Sequence, residues 1–293
     1  MTVSSHDTEN RVTYVNGEYI AARDARISIF DRGFLFGDGI YEVTAVLDGK
    51  LIDSAAHMAR LRRSTGEIGI TLPWSEEEIV AIERELIRRN KLTEGLVYLQ
   101  VTRGDGRDRD FVPYKGVTPS IVLFTQAKNL TDKPEFKTGI SVLALDDLRW
   151  KRRDIKTVCL LPQALAKEIA KNAGCDEAWM IEDGTVTEGA SSTAYIVTDD
   201  DAIITRPNSN QVLPGCTRHS LLQLIAQTGM KLEERAFTLE EAYAAREAFL
   251  TSASSFVSPV TRIDGKPVGN GKPGPVSERL RTIYLDYARR TAI

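Results

Sequence analysis

Apolar positions along the chain follow two spacings, one typical of strands and one typical of helices. Alternating runs over 13–15 and 18–20 flank Asn16-Gly17, a pair that suits a two-residue type I′ turn and predicts a hairpin. Asp183-Gly184 predicts a second hairpin between 177–181 and 185–188. Further strands are predicted at the following positions: 41–47, 96–102, 120–125, 139–145, 194–197, 202–205 and 249–251.

Longer runs with three- and four-residue apolar spacing predict helices, and two of them begin with a capping box. Ser75 with Glu78, and Thr238 with Glu241, place a hydroxyl and a carboxylate where they satisfy the first N–H groups. Other helices are predicted at the following positions: about 54–68, 162–172, 216–229 and from 275 onward. The segments 31–39 and 104–118 are predicted to be loops, and loops as long as the second are usually functional or mobile.

Strands and helices mix without a regular strand–helix–strand rhythm, which predicts an α+β fold and not a doubly wound parallel sheet. We expect an N-terminal domain over 1–127 and an interdomain linker over the polar segment 128–137. The C-terminal domain is then expected over 138–293.

Composition argues against several classes of protein: those that bind nucleic acid, span a membrane or depend on disulfides or metal ions. The 293 residues are 42% hydrophobic and carry a formal net charge of −3, which argues against nucleic acid or an anionic membrane as the main partner. No apolar run is long enough to span a membrane, and the first ten residues lack an apolar signal core, so a cytoplasmic protein is expected. Three cysteines and three histidines without metal-ligand spacing predict neither a disulfide framework nor a metal site.

Lys156 is the first candidate for chemistry. Ile155 precedes it and the apolar run 158–161 follows it closely, so its flanks predict partial burial. A lysine in such surroundings is either paired with an acid or used chemically, because burial favours the neutral, nucleophilic amine.

Glu188 is the second candidate, at the end of a predicted strand. The loop Gly189-Ala-Ser-Ser192 after it is small enough for a planar ligand to approach closely. A carboxylate hydrogen-bonded to a pyridine nitrogen keeps that nitrogen protonated, which tunes an electron-sink cofactor. A solvated glutamate at a strand end is the simpler alternative.

Two small-residue segments are candidate phosphate sites. Gly215-Cys216-Thr217 combines the free N–H groups of a helix start with a hydroxyl, and Ser252-Ala253-Ser254 offers a similar loop. Arg60 can add a charged donor. Taken singly these features are common helix caps and turns, but with Lys156 and Glu188 they describe a site for pyridoxal 5′-phosphate.

Six segments, in order along about 12–270, resemble the fold-type IV (class IV) pyridoxal-phosphate aminotransferases. They are Phe34-Leu-Phe-Gly-Asp-Gly-Ile-Tyr-Glu-Val43, His57-Met-Ala-Arg-Leu61, Asp154-Ile-Lys156, Val186-Thr-Glu-Gly-Ala-Ser-Ser192, Leu213-Pro-Gly-Cys-Thr-Arg218 and Thr251-Ser-Ala-Ser-Ser255. The resemblance implies a two-domain homodimer with the active site at the domain junction. It also implies that Lys156, expected in the C-terminal domain, is the Schiff-base lysine and proton shuttle.

The same resemblance implies a role for each further cofactor residue. Glu188 would pair with the pyridine nitrogen, and Leu213 would pack against the ring. Ser192 would belong to the loop beside the ring. The phosphate would be held by the following residues: Arg60, Gly215, Cys216, Thr217, Ser252 and Ala253.

Within the family, the segments 33–43 and 101–104 look most like D-amino acid aminotransferases. The implied activity is a ping-pong transfer from a D-amino acid of the D-alanine or D-glutamate type to a 2-oxo acid such as 2-oxoglutarate. The chain departs from these enzymes at the substrate end of the site. Phe34 stands where they carry a Tyr, and no His follows Arg103-Gly104. Arg107 or Arg109 can bind the substrate carboxylate instead, and a solvated charge run is the alternative.

Four other functions stay open on the sequence alone. Three are enzymes of the same family: a branched-chain L-amino acid aminotransferase, an (R)-selective amine transaminase and, on weaker grounds, an aminodeoxychorismate lyase. The fourth is a non-catalytic protein that binds the cofactor or a partner.

Overall fold

The computed structural model describes residues 9–293, so the first eight residues of the polar N-terminal segment lie outside the described residues. The chain divides into two compact units. Unit 1 contains the chain up to Asn129 together with 155–159 and 291–293, and unit 2 contains Leu130–Asp154 and Leu160–Arg290. No helix among residues 9–293 is both long and apolar enough to cross a membrane.

Unit 1 is built on one six-stranded antiparallel sheet in the order β2-β1-β6-β5-β3-β4. Its strands are β1 (Val12–Val15), β2 (Glu18–Ala21), β3 (Gly39–Leu47), β4 (Lys50–Leu51), β5 (Glu94–Thr102) and β6 (Ser120–Ala127). Its helices are α1 (Arg32–Phe36), α2 (Ser54–Glu67) and α3 (Glu76–Arg89), with a 3-10 turn at Ala22–Asp24. Apolar residues of α2 and α3 pack on β3, β5 and β6 to form one core.

Unit 2 contains a nine-stranded mixed sheet. Its strands are β7 (Ile140–Asp146), β8 (Glu177–Glu182), β9 (Thr185–Gly189), β10 (Thr193–Val197), β11 (Ile203–Thr205), β12 (Leu232–Glu234), β13 (Glu247–Ser252), β14 (Phe256–Ile263) and β15 (Lys266–Pro267). The strand order is β12-β11-β10-β13-β14-β7-β8-β9, and β15 pairs with β14. The helices are α4 (Glu135–Thr138), α5 (Leu161–Asn172), α6 (Cys216–Thr228), α7 (Leu239–Ala244) and α8 (Pro275–Thr291).

Local chemistry explains where most elements begin and turn. Both predicted capping boxes form, at the starts of α3 and α7. Asn16 and Gly17 have φ angles of 50° and 107°, so both central residues of the β1–β2 turn take the positive φ that a type I′ turn requires. The predicted α+β character, hairpins and long helices are confirmed.

The first predicted loop contains a short helix, which corrects that expectation. Residues 31–39 include α1, which begins where the Asp31 side chain accepts a hydrogen bond from the Gly33 N–H (2.8 Å). The helix ends at Gly37, whose φ of 67° is left-handed. The capping aspartate and the terminating glycine stabilise this short helix. The spacing of apolar residues does not predict it, because the helix is too short to show a helical period.

The segment around Lys156 belongs to a different unit from the one expected. Lys156 was expected in the C-terminal domain, but 155–159 pack in unit 1. The physical reason is backbone pairing with β3: the Tyr41 N–H donates to Lys156 O (3.0 Å), and the Val158 N–H donates to Gly39 O (3.1 Å). The expected linker 128–137 overlaps the start of α4.

Candidate active site

Lys156 is half-buried and has no acidic partner in the described part of the chain. Its Nζ lies 4.1 Å from the centre of the Tyr41 ring, on the neighbouring strand β3. Its backbone N–H is 3.4 Å from Ser64 Oγ, on α2. The flanking residues allowed two alternatives, a lysine paired with an acid or a lysine used in chemistry. Among residues 9–293 no acid pairs with the Lys156 amine, which faces an aromatic ring instead.

Arg60 lies on the same helix as Ser64 and is held by a buried carboxylate. Its Nε donates to Glu42 Oε1 (2.8 Å) and its Nη2 donates to Glu42 Oε2 (2.7 Å). His57 Nδ1 is 2.7 Å from the same Oε2. Burial by itself raises the pKa of Glu42, but the charges and hydrogen bonds of Arg60 and His57 bring it down to about 2. Glu42 is thus ionised and fixes the plane of the arginine.

A second buried carboxylate, Glu83 of α3, lies near this cluster. It is fully buried, its Oε1 accepts from Thr44 Oγ1 (3.3 Å), and its Oε2 has no hydrogen-bond partner among the described residues. Burial raises the pKa of Glu83 to about 7, and the nearby His57 only partly offsets that rise. This cluster therefore contains one ionised acid, Glu42, and one acid, Glu83, whose raised pKa keeps it protonated below neutral pH.

Glu188 lies in unit 2 at the end of β9 and is 4% exposed. Arg149 Nη1 donates to its Oε1 (2.5 Å), and the Leu213 N–H lies 3.2 Å from Oε1 and 3.1 Å from Oε2. Burial raises the pKa of Glu188, although Arg149 and the Leu213 N–H oppose the rise. Oε2 has only the one backbone N–H as a described partner, so it can accept a further donor.

Arg149 is held in turn by Asp147. The Arg149 Nε and Nη2 donate to the two Asp147 oxygens (2.9 and 2.6 Å), and Thr187 Oγ1 also donates to Asp147 (2.7 Å). The acids hold the pKa of Arg149 above its usual value. Asp147, Arg149 and Glu188 thus form a chain of alternating charges in which the arginine cannot lose its proton.

The start of α6 lies beside the loop after β9. The first helical bond of α6 is His219 N–H to Gly215 O (2.9 Å), which leaves the N–H groups of Cys216 and Thr217 outside the helical ladder. Both side chains are buried. A Cβ on Gly215 would come 3.0 Å from Thr193 Oγ1, so the glycine permits a close approach of the helix start to β10.

The segment Ser252-Ala253-Ser254-Ser255, which we name the serine turn, joins β13 to β14. Ser252 Oγ lies 2.7 Å from Ser255 Oγ and 3.3 Å from Ser254 Oγ. Because Thr193 pairs with Thr251, the serine turn and the loop 189–192 emerge at the same end of the sheet. Ser192 itself is directed to an acid, since its Oγ lies 3.4 Å from Glu177 Oε2.

The predicted site residues thus fall into two groups. In unit 1 the backbone of Lys156 contacts Ser64, which lies one turn after Arg60 on α2. Unit 2 gathers the other cofactor candidates near Thr193: Glu188, Ser192, Leu213, Gly215, Cys216, Thr217, Ser252 and Ala253.

The three substrate candidates are all exposed in unit 1. Phe34 has 74% of its surface exposed. Arg109 lies over the rings of Phe36 and Phe111, with its Cζ 5.4 and 5.2 Å from their centres. Arg107 adopts a φ of 65° in the loop between β5 and β6. Hydrogen bonds from Ser28 and from the Arg107 backbone N–H, with a smaller effect of the Arg107 charge, lower the pKa of Asp105.

Neither Arg107 nor Arg109 forms a salt bridge within 4.0 Å in the described chain. Both side chains are exposed. Both guanidinium groups are therefore available to an anion.

Four residues of the site were missed as functional candidates on sequence alone. Tyr41 and Glu42 stand inside a segment that was recognised, but nothing in the spacing distinguished them as neighbours of Lys156 and Arg60. Asp147 and Arg149 carried one weak signal, an acid next to the basic run 149–153. Arg149 lies 39 positions from Glu188, so only the sheet brings them together.

Comparisons with known proteins identify the family of this chain. The family model described as amino-transferase class IV matches residues 39–263. The chain is 40% identical to the D-alanine aminotransferase of Bacillus licheniformis over 91% of this chain and 93% of the relative. It is 38% identical to that of Staphylococcus haemolyticus, over 94% of this chain and 96% of the relative.

Solved structures share the fold at lower identity. The branched-chain amino acid aminotransferase of Escherichia coli has a TM-score of 0.88 at 22% identity, over 95% of both chains. A second branched-chain amino acid aminotransferase, solved with pyridoxamine 5′-phosphate, has a TM-score of 0.87 at 24% identity, over 94% of this chain and 93% of the other. Taken with the family match and the relatives, these findings establish that the chain belongs to the class IV aminotransferases, which are pyridoxal-phosphate-dependent enzymes.

Proposed function

We propose that this aminotransferase moves the amino group of a D-amino acid, of the D-alanine or D-glutamate type, to a 2-oxo acid such as 2-oxoglutarate in a ping-pong cycle. The relatives at 36–40% identity over nearly the whole chain are D-alanine aminotransferases, which supports this donor class. The branched-chain neighbours share only 22–24% identity and therefore support the fold alone.

The residues present fit pyridoxal 5′-phosphate. The observation that carries the proposal is a pair of complementary groups: an amine without an acidic partner, Lys156, and a buried carboxylate with one open acceptor oxygen, Glu188. The free N–H groups at the start of α6 and the hydroxyls of the serine turn match a phosphate. The cofactor supplies an electron sink for the negative charge that develops at the substrate Cα.

Lys156 would hold the cofactor through its amine and, once released, carry the proton to and from the substrate Cα. An amine that pairs with no carboxylate keeps its lone pair accessible whenever it loses a proton. The Tyr41 ring lies against Nζ and limits the directions that the side chain can take. Both features suit one group that attaches the cofactor and also transfers a proton.

Glu188 would keep the ring nitrogen protonated. Its open Oε2 can accept the ring N–H, while Arg149 on Oε1 favours the ionised carboxylate against the effect of burial. Leu213 would pack against the ring, with its N–H already fixed on Glu188. Arg149 is therefore a positioning residue, because it acts on the ring only through Glu188.

The phosphate would be held by two groups of donors. In unit 2 these are the N–H groups of Cys216 and Thr217, the Thr217 hydroxyl, Gly215, and Ser252 with Ala253. Arg60, whose guanidinium Glu42 holds in a fixed plane, would be a further phosphate donor. Ser192 would support the loop next to the ring.

Arg107 or Arg109 would bind the substrate carboxylate, because both guanidinium groups are exposed and outside any described salt bridge. Phe34 would line the same end of the site with an apolar ring.

A panel of amine donors tests the donor class. Purified holoenzyme is mixed with D-alanine, L-leucine or (R)-phenylethylamine, and the cofactor absorbance is followed through the first half-reaction. We expect a rapid change with D-alanine. A response to L-leucine without one to D-alanine would replace this function by the branched-chain activity, and a response to the amine alone would favour the (R)-amine transaminase.

We also propose a homodimer that works in the cytoplasm. An apolar stripe of Leu161, Leu165 and Ile169 on α5 is 68%, 49% and 51% exposed, which supports a covering partner chain. All three cysteines are free thiols, which is typical of a reducing compartment.

A further inference from the structure

Arg281 of α8 is a buried cation whose described partners include no acid. The side chain is 9% exposed. Its Nη1 donates to Ser255 O (2.9 Å) and Val257 O (2.8 Å). Its Nη2 donates to Leu130 O (3.3 Å) and Thr131 O (3.1 Å). The guanidinium charge is therefore surrounded by carbonyl dipoles and neutralised by no carboxylate in the described chain.

This charge persists at neutral pH although it is costly to bury. Burial lowers the pKa of Arg281 to about 10, which still leaves it protonated at pH 7. The Phe136 ring lies against the guanidinium, 3.3 Å from Cζ to the ring centre, and the four carbonyls offset part of the desolvation cost. An anion near the guanidinium would complement the remaining charge.

The carbonyl of Ser255 connects this cation to the serine turn. The side chains of Ser252 and Ser255 bond within the turn (2.7 Å), but its backbone bond is long, since the Ser255 N–H lies 3.4 Å from Ser252 O. Phe256 follows with a φ of 57°, a left-handed conformation that is unfavourable for a residue other than glycine. Tyr284, one turn after Arg281 on α8, packs on Phe256 with the ring centres 5.5 Å apart. The helix thus holds the end of the serine turn at two points.

We propose that Arg281 is a positioning residue for the cofactor phosphate, which it serves from behind the serine turn. It fixes the last peptide of the turn, so that Ser252 and Ala253 present their donors in one arrangement. Its unneutralised charge also attracts the phosphate dianion through the turn. The inference rests on the assignment of Ser252 and Ala253 to the phosphate in the proposed function.

The test compares two ligands that differ only in the phosphate. Apo protein is titrated with pyridoxal 5′-phosphate and with pyridoxal, and binding is followed by absorbance, for wild type, Arg281→Met and Arg281→Lys. Arg279→Met is the matched control, because Arg279 is an exposed arginine on the same helix.

Arg281→Met is expected to weaken pyridoxal phosphate binding by about tenfold, which corresponds to about 1.4 kcal/mol, and to leave pyridoxal binding within about twofold. Arg281→Lys keeps the charge but cannot donate to four carbonyls. Its loss of affinity for pyridoxal phosphate is expected to be smaller than that of Arg281→Met, and its affinity for pyridoxal is expected to stay as in wild type. Arg279→Met is expected to bind both ligands as wild type does.

Equal losses for the two ligands would overturn the inference, since they would indicate a general structural role. Unchanged affinity for pyridoxal phosphate would overturn it as well. If Arg281→Met does not fold, the same comparison is decided by Arg281→Lys. A wild-type protein that binds neither ligand would instead refute the proposed function, so the two failures are distinguishable.

Discussion

Single side chains in this protein take their charge and orientation from neighbours that are far away in sequence. Glu42 lies 18 positions from Arg60 and holds its guanidinium, and Arg149 lies 39 positions from Glu188 and opposes its protonation. Lys156 also has a neighbour far away in sequence, Tyr41, but its Nζ contacts that aromatic ring and no described acid. The contacts of single side chains therefore distinguish the amine of Lys156 from the ion-paired side chains Arg60 and Glu188.

Replacing Lys156 by Ala is expected to reduce transamination by at least about 10³-fold, since one amine would both attach the cofactor and transfer the proton. Reduction of the holoenzyme with borohydride, followed by peptide mass analysis, is expected to find the cofactor on Lys156 in wild type. Lys171→Ala, at an exposed position of α5, is the control and is expected to behave as wild type. Wild-type turnover in Lys156→Ala would refute the assignment.

Glu83 is expected to make the stability of the protein depend on pH. The unfolded chain ionises Glu83 above its ordinary pKa of 4.5, whereas the folded protein holds the proton until about pH 7. The folded state therefore loses stability as pH rises through this interval, by about 3 kcal/mol once Glu83 is ionised in both states.

Urea unfolding of apo protein at pH 5 and pH 8 measures this effect. Glu83→Gln cannot ionise, so its stability relative to wild type is expected to rise by about 2.5 kcal/mol between the two pH values, because the unfolded chain is already partly ionised at pH 5. Glu85→Gln, two positions away, is the control: arginine partners lower the pKa of Glu85 to about 2, so it is ionised throughout. A difference between Glu83→Gln and wild type that does not change with pH would contradict the prediction.

At the scale of elements, helix ends and turns follow from residues that stand next to each other in the chain. Helix α3 begins with the Ser75–Glu78 capping box, carries acids in its first turn and ends with Arg88 and Arg89. The capping box satisfies free N–H groups at the start of the helix. The acids near its start and the arginines near its end interact favourably with the helix macrodipole. The same local logic explains α1, whose capping Asp31 and terminating Gly37 outweigh the lack of an apolar period.

Ser75→Ala is expected to lower the free energy of unfolding by about 1 kcal/mol, because a first-turn N–H of α3 loses its acceptor. Ser75→Asp supplies another acceptor at the same position and is expected to keep most of the stability. Urea unfolding of the two variants and wild type measures the difference. Equal losses in both variants would mean that capping is not what Ser75 contributes.

For the whole molecule, the exposed apolar stripe of α5 is a surface that a single chain leaves uncovered. Leu161, Leu165 and Ile169 recur every four residues on one face of the helix. Leu165→Glu is expected to shift the proposed dimer towards monomer, because a charge would be buried against the partner. Light scattering over a range of protein concentrations measures the change.

Lys171→Glu is the control for that variant, because it alters charge at an exposed position away from the stripe on the same helix. It is expected to leave the oligomeric state as in wild type. A wild-type protein that stays monomeric at every concentration would contradict the proposed dimer, and a fully dimeric Leu165→Glu would exclude the α5 stripe as its interface.

The local features of this protein can be predicted from the order of its residues. Three local features can be predicted in this way: the period of the apolar residues, turn pairs such as Asn16-Gly17, and the two capping boxes. Each depends on neighbours within about four positions. The short motifs around Lys156 and Glu188 can be recognised for the same reason. They predicted the aminotransferase family, which the family match confirms.

The folded structure is needed to show which distant groups meet. It assigned the segment 155–159 to unit 1, where β3 supplies its backbone partners, and it brought Glu42 to Arg60 and Arg149 to Glu188. It also buried Arg281 against four carbonyls. Such pairings depend on strand register and on how helices pack on the sheets, which no spacing along the chain encodes.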